Sequence, residues 1–546
     1  MKDFSRLLDR LSFEPSRNGK LRLMEAYFRV TPDPERGFAL AALTSSLSFT
    51  NAKPALIRTL AAERTDPTLF GLSYDYVGDL SETVALMWPQ TGPTASAPLL
   101  SDVVRVLATT GRVALPKQLA AWLDSLDEIG RWALLKLITG SLRIGVSARL
   151  AKTAVAMLGG FEPDEIEEVW HGMAPPYEAL FAWVSGQGPR PDATDPAPFR
   201  TPMLAHALEE RDVAQLDPAA FSAEWKWDGI RVQAVTGVET GGRSVVRLFS
   251  RTGEDISGAF PDLADALLAG GLGSVALDGE LLVVREGHVE SFGTLQQRLN
   301  RKAVTPKLMA DYPIHLRVYD LLFDNGEDLR PLAFAERRER LDAFVKRAGL
   351  TVIDLSPLVR FSDWAHLAAI RLDPASAGAG EAADAIEGLM LKRLDSPYVP
   401  GRPKGLWYKW KREPFNVDAV LMYAQRGHGK RSSFYSDYTF GVWRDGAAGP
   451  ELVPVGKAYS GFTDQELTKL DRYVRTNTTG RFGPVREVAH GMTGGLVLEI
   501  AFEGLNRSSR HKSGVAMRFP RVNRIRWDKP TAEADTLANL ERLLKE

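Results

Sequence analysis

A chain of 546 residues is too long for one hydrophobic core, and roughly two to four domains is the expectation. Its 44% hydrophobic and 25% charged residues suit a soluble globular protein, and no run of about 18 apolar residues offers a membrane span. There is no cysteine, which excludes disulfides, thiol nucleophiles and thiolate zinc sites, and a net charge of -1 argues against a general polyanion binder.

In chain order, residues 1–20 lack the uninterrupted apolar stretch of a secretory signal, so the expected address is cytoplasmic. Residues 1–185 read as helical. Leu119, Trp122, Leu123, Leu126 and Ile129 recur at three- and four-residue steps, as one helix face does, and Pro116 suits that helix's first turn. The run Trp132 to Ile138 follows and stops at Thr139-Gly140. Residues 186–202 hold five prolines and two glycines without apolar periodicity and read as a linker. Residues 203–413 alternate short strands (231–235, 244–249, 281–284, 315–319) with helical segments near 261–269 and 334–348, an α+β pattern with antiparallel sheets. The Ala/Gly-rich stretch 375–385 reads as a flexible loop. Residues 414–546 show strands at 417–423, 438–443, 452–458 and 496–502, separated by glycine-rich turns, which suggests a small barrel. No internal repeat is present.

Two basic clusters stand out against the neutral whole. Residues 505–529 carry eight Lys/Arg and one acid, and residues 401–431 carry eight Lys/Arg against Glu413 and Asp418. Such patches hold phosphates or are merely solvated, and charge alone does not choose.

In Glu224-Trp-Lys-Trp-Asp-Gly-Ile-Arg231 a lysine stands between two tryptophans. Asp228-Gly229 between alternating apolar runs predicts a two-residue hairpin turn, with Trp227 opposite Ile230, Lys226 opposite Arg231 and Trp225 opposite Val232. Trp225, Trp227, Ile230 and Val232 then share one face, and Glu224, Lys226, Arg231 and Gln233 the other. Two cations directly opposed are unfavourable unless an anion lies between them, and a phosphate would serve. A surface hairpin with a polar face is the bland alternative.

Lys226-Trp-Asp-Gly-Ile-Arg231 resembles the KxDGxR nucleophile motif of the nucleotidyltransferases that include ATP-dependent DNA ligases and mRNA capping enzymes. Further elements follow in order: Ser250-Arg-Thr-Gly-Glu-Asp255, Leu277-Asp-Gly-Glu280, Phe292 to Arg298, Tyr319 to Asp328, Glu387-Gly-Leu-Met-Leu-Lys392, Trp407-Tyr-Lys-Trp-Lys411, and Arg518 to Lys529, which ends in Asp528-Lys529. Arg143-Ile-Gly-Val-Ser147 resembles the DNA-binding domain of three-domain ATP-dependent DNA ligases.

The resemblance implies an all-α N-terminal DNA-binding domain (1–185), a linker (186–202), an α+β nucleotidyltransferase domain of ATP-grasp-like adenylation type (203–413) and a C-terminal β-barrel of OB-fold type (414–546). It implies three steps: Lys226 takes AMP from ATP, AMP passes to the 5′-phosphate of a DNA nick, and the 3′-hydroxyl displaces it. Lys409, Lys411, Asp528 and Lys529 are expected to join Lys226 in catalysis. Glu224, Arg231, Arg251, Glu280, Tyr319, Lys392, Arg402 and Lys409 are expected around ATP, with Tyr319 stacked on the base. Glu280 and Glu387 are expected to hold Mg²⁺ or Mn²⁺. A monomer encircling nicked duplex DNA, with a hinge near Lys411–Phe415, completes the expectation.

Only a neutral amine attacks, and with a pKa near 10.4 about one lysine in 10³ is neutral at pH 7. Arg231, Lys409, Lys411 and a metal ion would favour the neutral form, as would the desolvating tryptophans. An RNA ligase, a GTP-using capping enzyme and a catalytically silent DNA-end scaffold stay open as alternatives. NAD⁺-dependent ligases do not fit, since no cysteine exists for their four-Cys zinc module. Gly427-His-Gly-Lys-Arg431 is not a P-loop, because no Ser/Thr follows the lysine.

Overall fold

The structure, a computed structural model, describes every residue except 78, 90–96, 141, 171, 192–194, 300–303, 428–433, 447–448, 509–510 and 545–546, and the side chains of 75–77 and 210. Most of Gly427–Arg431 therefore lies outside the described residues. The chain forms two compact units: Met1–Phe161 with Pro175–Arg190 and Pro414–Glu546, and Glu162–Ala174 with Pro191–Glu413. No helix among the described residues is long and apolar enough to cross a membrane.

The N-terminal region is helical from Lys2–Phe13 to Glu178–Val184. Pro116 lies in the first turn of the helix Leu115–Ser125. That helix then stops, and Asp127 caps a new one, Glu128–Thr139, by accepting from the Gly130 N–H at 2.7 Å. The apolar period from Leu119 to Ile129 thus crosses a break, and Ile129 emerges 38% exposed. Gly140, at φ +72°, ends the second helix where Thr139-Gly140 predicted. The proline-rich stretch is packed in its second half: Ala197 and Phe199 are buried, and the Gln233 side chain bonds both the N–H and the carbonyl of Arg200.

The α+β unit is built on two sheets. Its strands are β1 (His206–Ala207), β2 (Phe221–Trp227), β3 (Ile230–Val238), β4 (Ser244–Ser250), β5 (Val275–Arg285), β6 (His288–Val289), β7 (Ile314–Asp324), β8 (Glu327–Asp328), β9 (Ile353–Leu355), β10 (Leu358–Val359), β11 (Ile386–Arg393) and β12 (Trp407–Lys411). One sheet runs β1-β12-β11-β2-β10; the other runs β4-β3-β5-β7-β8, with β6 on β5 and β9 on β7. The helices Pro261–Ala269 and Phe334–Ala348, at the predicted positions, bury Leu263, Leu267, Leu341 and Phe344 in a core with Val232, Leu277 and Leu316 of the larger sheet.

The expected hairpin is absent. β2 and β3 belong to different sheets: β2 pairs with β11 and β10, and β3 with β4 and β5. Asp228-Gly229 is a crossing between sheets, and Lys226 is not opposite Arg231. The local turn signal is overridden because each strand finds a longer apolar partner elsewhere. Alternation along β2 holds nonetheless, with Trp225 and Trp227 buried in a core with Phe221, Leu282, Leu389 and Tyr408. The stretch 375–385 is likewise not loose; it forms two short helical turns that bury Ala383 and Ala385.

The C-terminal region is β-rich. β13 (Phe415–Arg426) is flanked by β14 (Tyr435–Gly446) on one side and along the other by β17 (Val485–Val488), which also pairs with β16 (Thr478–Phe482), and by β18 (Val497–Phe502). The four predicted strands all form, and β15 (Gly449–Ala458), which contains the third of them, pairs with β14. A helix not anticipated from the sequence, Asp464–Thr476, packs Leu470 and Val474 into this core behind a capping box, Thr463 with Glu466.

Candidate active site

Strand β11 gathers the site. Gly388 is opposite Lys226 on β2 and opposite Lys411 on β12, so the two lysines flank one position. Glu387, at a register shift just before it, ion-pairs with both: Oε1 with the Lys226 amine and Oε2 with Lys411 Nζ at 2.9 Å. Two lysines outweigh the burial that alone would raise the Glu387 carboxyl, and it lies below the usual range. Gly388 adopts φ +146°, and a Cβ there would sit 2.3 Å from the Trp410 carbonyl oxygen.

The larger sheet supplies a second row, because Glu280 on β5 is opposite Arg231 on β3 and Arg317 on β7. Residues directly opposed in a sheet share a face. Burial pushes the Glu280 carboxyl up to about 8, although Lys226 and Arg231 pull it down; Glu387 and Asp278 add to the rise. The Tyr319 hydroxyl lies 3.5 Å from Glu280 Oε2.

Arg231 does not have the partner that the hairpin implied. Its guanidinium donates to Asp278 at 3.1 and 2.5 Å, to the Met203 carbonyl at 2.8 Å and to the Tyr398 hydroxyl at 3.1 Å. The anion beside it is therefore a buried aspartate of the protein. Burial would lower the Arg231 pKa, but Asp278 carries it well above the ordinary value.

Cations dominate what remains. Burial, then Lys411, Lys226, Arg402 and Arg251, hold the Lys409 ammonium below its usual pKa. Burial, then Arg231 and Arg402, lower that of Arg251. Lys409, Arg251 and the exposed Arg402 have no carboxylate in ion-pair range among the described residues. Such a group favours a ligand that carries negative charge.

Glu224 and Lys392 lie beneath this surface. They form a buried pair at 2.8 Å, and Arg338 reaches the other Glu224 oxygen at 3.0 Å. The Lys392 amine also donates to the Tyr319 carbonyl at 3.1 Å and sits 4.6, 4.8 and 4.7 Å from the rings of Tyr319, Phe334 and Trp407. Asp528 and Lys529 belong to the other unit. Arg526 donates to Asp528 at 2.9 Å and holds its carboxyl at about 2, and Lys529 pairs with Asp418 at 2.7 Å.

Sequence reasoning missed Asp278, Tyr398 and Arg338. Asp278 had a signal, since it shares a strand face with Glu280 two residues on. Arg338 had none, because its partner Glu224 is 114 residues away. For a divalent cation the candidate donors are Glu280 and Glu387, both hard oxygen ligands. No cluster of three or more His, Cys, Asp or Glu that could hold a metal occurs among the described residues, so such an ion would need phosphate oxygens to complete its shell. Burial is the main cause of the raised Glu280 pKa, and a cation bound at this carboxylate would offset that cost. A cavity of about 550 Å³ lined by Asp195, Arg200, Phe323 and Asn325 contains none of these residues.

Residues 202–411 match the family described as ATP dependent DNA ligase domain, and residues 431–529 match the ATP dependent DNA ligase C terminal region. The chain is 33% identical to a "Probable DNA ligase" of Koribacter versatilis (strain Ellin345), over 87% of this chain and 83% of that protein. It is 28% identical to "DNA ligase 1" of Korarchaeum cryptofilum (strain OPF8), over 100% and 98%. Among solved structures, "Pmar-Lig_PreS3" aligns over 96% of this chain and 99% of that one, with a TM-score of 0.57 at 17% identity, a likeness of fold alone.

Proposed function

The chain belongs to the ATP-dependent DNA ligase family, enzymes that form phosphodiester bonds, and from that premise we propose that it seals 5′-phosphate/3′-hydroxyl nicks in duplex DNA through AMP carried on Lys226. The observation that carries this reading is the convergence of Lys409, Arg251 and Arg402, without carboxylate ion-pair partners among the described residues, around a lysine whose amine is exposed enough to react. The triphosphate of ATP supplies the charge they lack.

In the first step the Lys226 ammonium leaves its pair with Glu387, gives one proton to solvent, attacks the α-phosphorus as the neutral amine and releases a second proton to solvent once bonded. A P–N bond forms, the bond to pyrophosphate breaks, and pyrophosphate departs with the electron pair. Lys409 and Lys411 neutralise the crowded phosphoryl oxygens, charge that grows only in the transition state. Tyr319 supports the base. Glu224 and Lys392 form the floor of the pocket, and Arg231 braces Asp278 beneath it. An oxygen of the DNA 5′-phosphate then attacks the same phosphorus and frees Lys226, after which the 3′-hydroxyl attacks the DNA phosphate and AMP leaves. A Mg²⁺ or Mn²⁺ ion held by Glu280, and by Glu387 once its lysines turn to phosphate, would supply charge neutralisation on the phosphates. The C-terminal region is taken as an OB-fold whose Asp528 and Lys529 orient pyrophosphate, and 1–185 as the DNA-binding domain of a cytoplasmic monomer that encircles the duplex.

Incubation with α-labelled ATP and Mg²⁺ tests the reading. A covalent label is expected on the wild-type chain and none on Lys226→Ala. No label on the wild type across a range of metals and pH would overturn it.

A further inference from the structure

We propose that Arg317 and Trp227 are positioning residues that lock the two sheets together at the nucleophile and so set the spacing between Lys226 and Glu280. The inference rests on the reading of Lys226 as the adenylylated residue. Lys226 is on the smaller sheet and Glu280 on the larger, and no β-ladder joins the two among the described residues. The chain passes from the smaller sheet to the larger through Asp228-Gly229, where a Cβ on Gly229 would meet the Leu281 carbonyl oxygen and Glu280 Cγ, and returns through Ser356-Pro357, between β9 and β10. The first crossing runs tightly against Glu280, but two short backbone crossings leave the angle between the sheets to side-chain contacts.

The Trp227 indole does that from the last position of β2. Its ring lies over the Arg317 guanidinium at 4.3 Å. Its Nε1 donates to the Ser356 hydroxyl at 3.1 Å, and Ser356 N–H in turn donates to the Val318 carbonyl of β7 at 2.8 Å. The indole is thus held at its face by Arg317 of the larger sheet and at its edge by Ser356, which lies in the return crossing and is tied to β7.

Arg317 is itself immobilised. Asp354 on β9 accepts from its Nε at 2.9 and 3.1 Å and from its Nη2 at 2.5 Å, and His315 Nε2 stands 3.1 Å from the same carboxylate. A guanidinium tied at its edge by a carboxylate presents a fixed planar face to the ring. Trp227 is 5% exposed and the Arg317 side chain 13%, so the stack is largely desolvated, where cation–π attraction is strongest. Trp227 is the chain neighbour of Lys226, and Arg317 is the register partner of Glu280. One contact therefore couples the two groups that must meet ATP from different sheets, and misplacement by about 1 Å lowers rates about 100-fold.

The test is single-turnover self-adenylylation with α-labelled ATP and Mg²⁺ for Trp227→Leu, Trp227→Phe, Arg317→Met and the Leu/Met double variant, with a thermal melt of each. The Leu and Met variants are each expected to slow adenylyl transfer about 30-fold, the equivalent of one desolvated cation–π contact, with KM for ATP within about twofold of wild type. The double variant is expected to be no slower than the worse single, and Trp227→Phe, which keeps a ring for the guanidinium, to recover most of the rate. Additive losses, a change in KM rather than rate, or a folded Phe variant as slow as Leu would overturn the coupling. Should Leu or Met fail to fold, the Phe variant against Arg317→Lys decides, since loss of the planar cation alone must slow the step. A wild-type chain that takes no label overturns the ligase reading and this inference with it.

Discussion

The Glu280 carboxyl, pushed by burial up to about 8, links the chemistry of the site to its stability. An unfolded glutamate titrates near 4.3. Between those values the native chain keeps a proton that the unfolded chain has lost, so this group's contribution to stability falls as pH rises and the penalty is complete above about 8. An amide at that position does not titrate and carries no such penalty. In metal-free buffer Glu280→Gln is expected to melt above wild type at pH 8.5, with the difference closing toward pH 4.5. A difference that is constant across that range would contradict the assignment. A metal ion at this carboxylate reverses the wild-type trend, so the two conditions can be compared directly. At this scale the sequence is informative: the alternation of Trp225, Lys226 and Trp227 places the rings inward and the amine toward the other charges. It is silent on partners. Arg231 turns to Asp278 and Glu224 to Arg338, because a charged side chain pairs with whatever the fold brings near it.

Among the elements, β11 decides the site. It lies between the strands of Lys226 and Lys411, and its Gly388 lets β12 approach with the backbone at φ +146°. Gly388→Ala adds both a strained φ and a Cβ that meets the Trp410 carbonyl. The strand must shift by a sizeable part of an ångström, which displaces Lys409 and Lys411 from Lys226. Loss of about 100-fold in the rate of lysyl labelling is expected, by the same misplacement argument. A folded Ala variant that labels at the wild-type rate would show that β12 tolerates the shift. The helices 261–269 and 334–348 are legible because their apolar faces are long and local. The sheet partners of β2 and β3 are not, because Asp-Gly describes a turn and says nothing of which strands then compete for the two edges. The capping box before Asp464–Thr476 is legible in principle as Thr463-Asp-Gln-Glu466, but it stands among strand signals that mask it.

For the whole molecule, the boundary between the two compact units falls at Glu413/Pro414, inside the stretch proposed as a hinge. Lys529 pairs with Asp418 and Asp528 with Arg526, so the charges proposed to orient pyrophosphate are held within their own unit. If that unit acts on ATP alone, Lys529→Ala loses self-adenylylation while it still seals nicks already carrying AMP. Equal loss of both activities would argue that the residue serves the fold or the DNA.

What the sequence determined by itself was the order of textures and the chemistry: helices, then α+β, then strands, with a lysine among tryptophans and its companion motifs in series. These are local properties, written in periodicity and residue type. Only the tertiary structure decided that Lys226 and Glu280 stand on separate sheets, that Glu387 pairs with both Lys226 and Lys411, and that Trp227 meets Arg317. Each of those contacts joins residues tens to hundreds of positions apart, and such pairings depend on the competition among all strands and charges at once.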